Sequence, residues 1–166
     1  MIVVADAGPL LHLFWVGATA WALPPQEIAV VEDVWREVAG YAPGALADHR
    51  LRRVAPALPV SPLVADKRLH TGEMGSLSYA LTRATDEQIL ILSDDQRARQ
   101  ACRDLALSFT GSIGLIVEAF RPDRVSKEVA EAALRDLPGR GRLYTKPAFI
   151  TRVLAALDAE GEDEQQ

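Results

Sequence analysis

The sequence predicts an α/β fold, in which helices cover both faces of a central parallel sheet. Short apolar runs typical of buried strands recur along the chain, and helix-like stretches follow them. Strands that alternate with helices in this way form parallel sheets. With 166 residues, of which 49% are hydrophobic, the chain is long enough to bury one sizeable core. We therefore expect a single domain over residues 1–157.

The first half of the chain is expected to supply three strands, two helices and a helical turn. In chain order these are a strand at 2–5, a helix from Pro9 to about Val16, a strand at 28–31, a helix at 32–41, a helical turn at 44–49 and an irregular edge strand within 52–63. Proline has a helix-compatible φ and no N–H to leave unpaired, so Pro9 suits the first position of its helix. The segment 52–63 contains three prolines, which are confined to the edges of sheets.

The second half is expected to supply the remaining strands and most of the helices. In chain order these are a helix at 72–83, a strand at 88–93, a helix at 94–107, a short strand at 108–109, a helix at 110–120, and amphipathic helices at 126–137 and 147–158. The acidic residues 158–166 are expected to form a disordered tail.

Charge and composition narrow the class of protein. Five of the 23 acidic residues lie in 158–166, so the rest of the chain balances its 18 basic residues and the net charge of −5 comes from the tail. No apolar run reaches the roughly 18 residues of a membrane span, and the N-terminus lacks the features of a signal peptide. The one cysteine, Cys102, lies on an apolar helix stripe and cannot form an internal disulfide. We therefore expect a cytoplasmic protein without a membrane partner.

Carboxylates follow two of the predicted strands. Asp6 comes directly after the first strand, and Asp94 and Asp95 come directly after the strand at 88–93. The carboxyl ends of parallel strands meet at one edge of the sheet, where open α/β sheets bind ligands. We expect these three side chains to lie near one another.

Two glutamates are expected to face inward beside them. Glu73 precedes Leu77 by four residues and so lies on the buried side of its helix. Glu37 adjoins Val38 and borders the apolar stripe of another helix. Inward-facing carboxylates are costly without a partner and raise one another's pKa values. Because Mg²⁺ and Mn²⁺ bind carboxylate oxygens, bound Mg²⁺ or Mn²⁺ would stabilise the group.

Each acid also has a simpler interpretation. Asp94 or Asp95 would cap the helix that follows, and Glu73 would complement the dipole of its own helix. Glu37 would pair with an arginine. For Asp6, at the end of an apolar strand, a purely structural role has the least support. Separate structural roles would not explain why the aspartates lie at one edge of the sheet while the glutamates face inward beside them. A cation bound by all of them would explain it better.

Short motifs along the chain occur in the order and spacing of a known superfamily. They are VVADAGPLLHL, VWREV, HTGEMGSLSYAL, ILSDDQRARQACRDL and FTGSIGLI, and they span about residues 1–120. In these motifs the chain resembles the PIN-domain superfamily, and within it the VapC-like toxin branch with the DAGPL opening. The resemblance implies a three-layer α/β/α sandwich with a central parallel sheet and a metal-dependent ribonuclease site. A helical C-terminal part is compatible with it.

The resemblance also implies which acids form the site. The family's catalytic acids match Asp6, Glu37, Glu73 and Asp95. The expected ligands of Mg²⁺ or Mn²⁺ are Asp6, Asp95 and Glu73, with Asp94 as a neighbouring ligand. The family commonly has aspartate where this chain has Glu73, so direct and water-mediated binding both stay open at that position.

Two further residues are expected to contact the substrate. The family's small hydroxyl residue matches Ser112, which lies after a glycine at a helix start suited to binding an anion. Arg99 follows Asp95 by four residues and would orient that acid or contact a phosphate.

The function that we predict is a metal-dependent endoribonuclease that hydrolyses phosphodiester bonds of single-stranded RNA. In the family branch that the chain resembles, such enzymes are toxins of toxin–antitoxin pairs. The resemblance therefore implies RNA as substrate, an antitoxin protein as partner and a homodimer. Trp15, Trp21 and Trp35 would belong either to a partner surface or to the core.

Two other classes of function stay open. One is a non-catalytic module that binds metal or RNA through the same acids. The other is a phosphate-handling signalling domain or phosphatase on a similar sheet. Receiver domains place paired acids after the first strand, whereas the pair here follows a late strand. Dehalogenase-type enzymes need an aspartate at position 8, which is a glycine in this chain.

Overall fold

The computed structural model describes residues 1–55, 61–65, 67–84, 87–120 and 124–163, with side chains described as far as residue 159. Its strands are β1 (Ile2–Ala5), β2 (Ile28–Val31), β3 (Leu51–Val54), β4 (Ile89–Leu92) and β5 (Ser108–Thr110). They form one parallel sheet in the order β3-β2-β1-β4-β5. The predicted central parallel sheet is confirmed, and β3 lies at its edge as the prolines of that segment indicate.

The helices alternate with these strands and then dominate the C-terminal part. They are α1 (Ala7–Trp15), α2 (Thr19–Ala22), α3 (Glu32–Tyr41), α4 (Pro62–Ala65), α5 (Thr71–Leu81), α6 (Gln96–Asp104), α7 (Ser112–Phe120), α8 (Lys127–Asp136) and α9 (Pro147–Asp163), with a 3-10 helix at Pro43–Ala47. The short helices α2 and α4 were not expected from the sequence. Residues 56–60 of the predicted edge-strand region lie outside the described residues.

Most helix boundaries differ from the prediction by one to five residues, and those of α1 and α9 bear on other predictions made from the sequence. Helix α1 begins at Ala7, because the Asp6 carboxylate accepts a hydrogen bond from the Ala7 N–H and caps the helix. Pro9 therefore occupies the third position of α1, where its missing N–H still costs no intrahelical hydrogen bond. Helix α9 continues past residue 158 to Asp163. The expected disorder of 164–166 falls outside the described residues.

The sheet separates two apolar cores, and so the architecture has three layers. Val3 and Ala5 of β1 face a core that includes side chains of α1, α3, α7, α8 and α9. Val4 faces the opposite way, into a core that α4, α5 and α6 complete. Successive side chains of a strand point to opposite faces, which is why the run IVVA is apolar throughout. The predicted α/β/α sandwich is confirmed.

The chain changes direction between two central strands. After β1 the chain builds β2 and β3 on one side, and then returns to place β4 and β5 on the other. Beside β1 and β4 the connections leave in opposite directions and open a crevice at the carboxyl ends of the strands. This crevice lies directly after Ala5 and Leu92, which are paired in the sheet.

Two further expectations concern single features. Cys102 is fully buried, and burial raises the pKa of its thiol to about 11, so it is a core residue as predicted. Within the described parts of the chain, none of the helices has the length and apolar character needed to cross a bilayer.

Candidate active site

A cleft opens where β1 and β4 end. Its volume is about 730 Å³, within the roughly 300–1,000 Å³ typical of ligand sites. The carboxylates that line it come from separate parts of the chain: Asp6, Asp33, Glu37, Glu73, Asp94 and Asp95. The structure thus brings together all the acids that the sequence nominated, and adds Asp33.

Asp6 is buried, with 9% of its surface exposed. Its Oδ1 accepts from the Ala7 N–H at 2.9 Å and its Oδ2 from the Ser93 hydroxyl at 3.1 Å. The pKa of Asp6 is raised from its ordinary 3.8 to about 7, chiefly by burial. The negative charges of Glu73 and Glu37 contribute to this increase, and the two hydrogen bonds oppose it. The carboxylate is therefore held where its own charge is unfavourable.

Glu73 is also buried, as its helical position predicts. Its Oε2 accepts from the backbone N–H of His70 at 2.9 Å, which caps the first turn of α5. Burial raises the pKa of Glu73, and the charge of Asp95 adds to the increase. The capping interpretation is thus correct for one oxygen, but the side chain lines the acidic cleft as well.

Asp94 is fully engaged with neighbouring protein groups. Its Oδ1 accepts from the Ser112 N–H at 2.9 Å, and its Oδ2 accepts from the Ser112 hydroxyl at 2.5 Å and from His12 Nδ1 at 2.8 Å. Burial opposes the charge of Asp94, but these hydrogen bonds outweigh it and lower the pKa. Asp94 thus ties the end of β4 to helices α1 and α7.

Over the ranges that the structure describes, Asp95 accepts hydrogen bonds through only one of its two carboxylate oxygens. Its Oδ1 accepts from the N–H groups of Arg97 and Ala98, at 2.7 Å and 2.9 Å, and so caps α6. Its own N–H donates to the Ser93 hydroxyl oxygen at 3.2 Å, and that hydroxyl donates to Asp6. Ser93, which the sequence analysis did not single out, therefore fixes Asp6 and Asp95 relative to each other.

Glu37 lines the cleft but does not face inward. The sequence analysis placed it among the inward-facing carboxylates, and this orientation is wrong, because the residue is exposed. It lies on the flank of α3, where the apolar stripe meets the open cleft rather than the core. Its Oε2 reaches to 3.8 Å from where a Cβ on Gly72 would lie, so it approaches the start of α5.

A comparison with protein families identifies the fold. The family model described as DUF3368: PIN domain matches residues 2–159. The chain belongs to the PIN-domain family. PIN domains are generally nucleases and generally use divalent metals. Comparisons with curated proteins and with solved structures find no match.

The two residues expected to contact the substrate lie behind the cleft wall of this PIN domain. Ser112 has 0% exposure and its hydroxyl donates to Asp94. The guanidinium of Arg99 lies over the Phe109 ring, at 5.5 Å from the ring centre, and its buried Nε has no hydrogen-bond partner among the residues that the structure describes. Neither residue lines the cleft.

The donors in the PIN-domain cleft fit a hard divalent cation in their chemistry. Carboxylate oxygens are the ligands that Mg²⁺ and Mn²⁺ prefer, and buried Asp6 receives hydrogen bonds from a backbone amide and a hydroxyl, both neutral groups. Among the described residues, however, no three His, Cys, Asp or Glu side chains are grouped closely enough to hold an ion. The cleft thus supplies suitable donors without a closed ligand shell.

Sequence reasoning missed several residues of the PIN-domain site. His12, Arg142 and Tyr144 line the cleft beside the acids. His12 comes four residues after Gly8, so both lie on one side of α1. This spacing could have been used to predict that His12 borders the cleft. Arg142 and Tyr144 lie in an irregular segment after α8, where no periodic pattern indicates what the chain contacts.

Proposed function

We propose that this PIN domain is a metal-dependent endoribonuclease that hydrolyses phosphodiester bonds of single-stranded RNA, with Mg²⁺ or Mn²⁺ as cofactor. The observation that carries the proposal is the convergence of Asp6, Glu37, Glu73 and Asp95 on one cleft. These residues come from four different segments of the chain. Separate structural roles would not require all of them to border the same open space.

The charge of the cleft supports a cation between the protein and its substrate. The lining has six carboxylates, and Arg142 is the one lysine or arginine among the described residues that line it. An RNA phosphate would be repelled from such a surface. A divalent cation reverses this repulsion and removes the unfavourable burial of Asp6 at the same time.

We assign the acids different parts in the reaction. Asp6, Asp95 and Glu73 are the proposed ligands, because each is held by short backbone hydrogen bonds that fix its direction. Glu37 is exposed in the cleft and would position the attacking water. The bound cation supplies activation of that water and charge stabilisation at the phosphate. Both oxygens of Asp94 accept hydrogen bonds from Ser112. We propose that Asp94 mainly keeps the elements around the cleft in position and is a less important ligand of the cation.

Ser112 and Arg99 take positioning roles in this proposal. Ser112 donates twice to Asp94, which lies beside Asp95 in the chain. Arg99 lies behind Gly111, near the same carboxylate, and adds positive charge beneath the site. Both would maintain the cleft without contacting RNA.

The test is RNA cleavage in added Mn²⁺ by wild type, Asp6→Asn and Asp95→Asn. Each substitution keeps the shape and the helix-capping ability of the side chain but removes charge from the cleft. We expect each to lower the cleavage rate at least about a hundredfold. Asp136→Asn, an acid outside the cleft that pairs with Arg140, is the matched control and should cleave like wild type. Equal cleavage by all four proteins would contradict the assignment.

A non-catalytic metal- or RNA-binding module is the second candidate. The absence of a closed ligand group among the described residues favours it, because a cation would then be held loosely. Binding of Mn²⁺ measured by calorimetry, without cleavage of varied RNAs, would support this candidate against the nuclease.

We further propose that the protein is the toxin of a toxin–antitoxin pair, is cytoplasmic, pairs with an antitoxin and forms a homodimer. The motif resemblance supports these points, together with apolar side chains such as Phe14 and Phe149 that remain exposed. Mass measurement in solution tests the dimer, and a strict monomer at high concentration would contradict it. Growth arrest on expression, relieved by Asp6→Asn, tests toxicity.

A further inference from the structure

The segment Arg142–Tyr144, which we call the cleft rim, borders the acidic cleft. It lies between α8 and α9, outside the motifs that carry the family resemblance. Its side chains are an exposed arginine, a buried leucine and a fully exposed tyrosine. None of these three residues is among the proposed metal ligands, and none is proposed to position the attacking water.

The cleft rim is fixed to the body of the protein. Leu143 is buried in the core, and its N–H donates to the carbonyl of Leu137 at 2.9 Å. Gly141 packs so tightly that a Cβ there would lie 2.7 Å from that carbonyl oxygen and 3.0 Å from Val16 Cγ1. These contacts allow little freedom, so the side chains on either side of Leu143 are presented from a rigid support.

Arg142 adopts a left-handed backbone, with φ of 57°. For a residue other than glycine this conformation is unfavourable, and such strain concentrates at functional sites. Its guanidinium lies 4.8 Å from the centre of the Trp15 ring, which holds it in place. In the described part of the chain, no carboxylate is paired with Arg142. Its charge is therefore available to an anion entering the cleft.

Tyr144 has its whole side chain in solvent. A flat aromatic ring on a fixed segment loses little entropy when it binds a partner, and every nucleobase has a face that can stack on it. Unpaired bases are available for such stacking in single-stranded RNA. An aromatic ring and an unpaired guanidinium, two residues apart beside a phosphodiester-cleaving site, form a suitable surface for a base and its adjacent phosphate.

We propose that the cleft rim is a binding subsite for single-stranded RNA, in which Tyr144 stacks on an unpaired base and Arg142 binds a backbone phosphate. The inference rests on the proposed function, because it names the surface that orients the substrate of that site. In this proposal the segment after α8, and not the acidic residues, contributes to the preference for single-stranded over duplex RNA.

The first test measures binding of a fluorescein-labelled single-stranded oligoribonucleotide by anisotropy, in the Asp95→Asn background with Ca²⁺. Loss of the ring in Tyr144→Ala should weaken binding about five- to hundredfold, the range found for base–aromatic stacking. Tyr144→Phe keeps the ring and should bind within about twofold of its parent. Tyr41→Ala removes another exposed tyrosine, which does not line the cleft, and should have no effect. A blunt duplex should bind Tyr144→Ala and its parent equally.

The second test separates the charge from the ring. The logarithm of the affinity falls linearly with the logarithm of the salt concentration, and Arg142→Ala should make this negative slope less steep by about 0.7, the value for one phosphate contact on a single strand. Tyr144→Ala should leave the slope unchanged. Alanine adopts the left-handed backbone at a similar cost, so thermal unfolding should show both variants folded. Arg152→Ala, an arginine stacked on Phe149 outside the cleft, is the matched control.

The outcomes distinguish the subsite from the nuclease. If the protein without substitutions cleaves RNA while Tyr144→Ala and Arg142→Ala bind like their parent, the cleft-rim subsite is wrong and the nuclease stands. The cleft-rim subsite is also wrong if Tyr144→Phe binds RNA as weakly as Tyr144→Ala does. Phenylalanine keeps the aromatic ring, so such a result would show that stacking of the ring is not the contact. If the unsubstituted protein neither binds nor cleaves RNA in Mn²⁺, the proposed function fails and the subsite fails with it.

Discussion

Replacing Asp6 with asparagine should stabilise the metal-free protein while it abolishes the proposed activity. Asp6 is buried, and burial raises its pKa from 3.8 to about 7. The folded protein therefore binds this proton more tightly than the unfolded chain does, and at neutral pH folding is opposed by the cost of the charge. Asparagine retains an oxygen for the Ala7 N–H and an amide beside the Ser93 hydroxyl, so it keeps both contacts without the charge.

The size of the effect follows from the two pKa values. At about 1.4 kcal/mol per pKa unit, the difference between 3.8 and about 7 corresponds to roughly 4 kcal/mol above pH 7. Because the folded-state pKa is the higher one, this destabilisation is absent below about pH 4, grows as the pH rises from about 4 to about 7, and is complete above that. For a chain of this length roughly 4 kcal/mol corresponds to about 8–16 °C in Tm.

The assay is thermal unfolding of wild type and Asp6→Asn with a chelator, at pH 4 and at pH 8. We expect similar Tm values at pH 4 and a much higher Tm for Asp6→Asn at pH 8. Asp33→Asn, which removes a more exposed carboxylate from the same cleft, controls for the change in net charge and should show a small difference. The reasoning would be refuted by a gap between wild type and Asp6→Asn that is the same at both pH values.

Other consequences of the structure can be measured in parallel. Gly111→Ala would place a Cβ 2.3 Å from Asp94 Oδ1 and should lower the free energy of unfolding by about 1–3 kcal/mol, whereas Gly40→Ala meets nothing within 4 Å and should raise it by about 0.5–1 kcal/mol, both by urea unfolding. Ser112→Ala removes the hydroxyl donor to Asp94, whose pKa is lowered, while the backbone N–H at position 112 still donates. The substitution should cost about 1–3 kcal/mol at pH 7, and less as the pH falls below the ordinary carboxyl pKa of 3.8, again by urea unfolding. Mn²⁺ should raise the Tm of wild type at pH 8 and leave that of Asp6→Asn nearly unchanged, because Asp6 is the buried charge that the cation would offset.

The sheet and its acidic edge could be predicted from the sequence because local pattern decides them. Strands such as IVVA and ILIL are apolar at every position, as strands covered on both faces must be. Asp6 and Asp95 follow such strands directly, so their place at the edge depends only on strand direction. Glu73 was predicted to be buried from its spacing alone, and it is.

The roles of neighbouring side chains could not be read in this way. Asp94 and Asp95 are adjacent in sequence, yet Asp94 is enclosed by His12 and Ser112 while Asp95 caps a helix. That difference depends on how α1 and α7 pack against β4, which no local pattern encodes. Glu37 was misjudged for a related reason, because the border of an apolar stripe faces a core or an open cleft according to what packs beside it.

The pairing of β1 with β4 has a consequence for when activity can arise during synthesis. Asp6 and Asp95 are made far apart in time, and Ser93, which bridges them, comes with the later one. A nascent chain that has emerged only as far as β3 carries the first acid on an edge that still lacks its neighbour. Such a fragment lacks the β4 side of the cleft, so the proposed nuclease could not act on the ribosome that translates it until most of the polypeptide had left that ribosome.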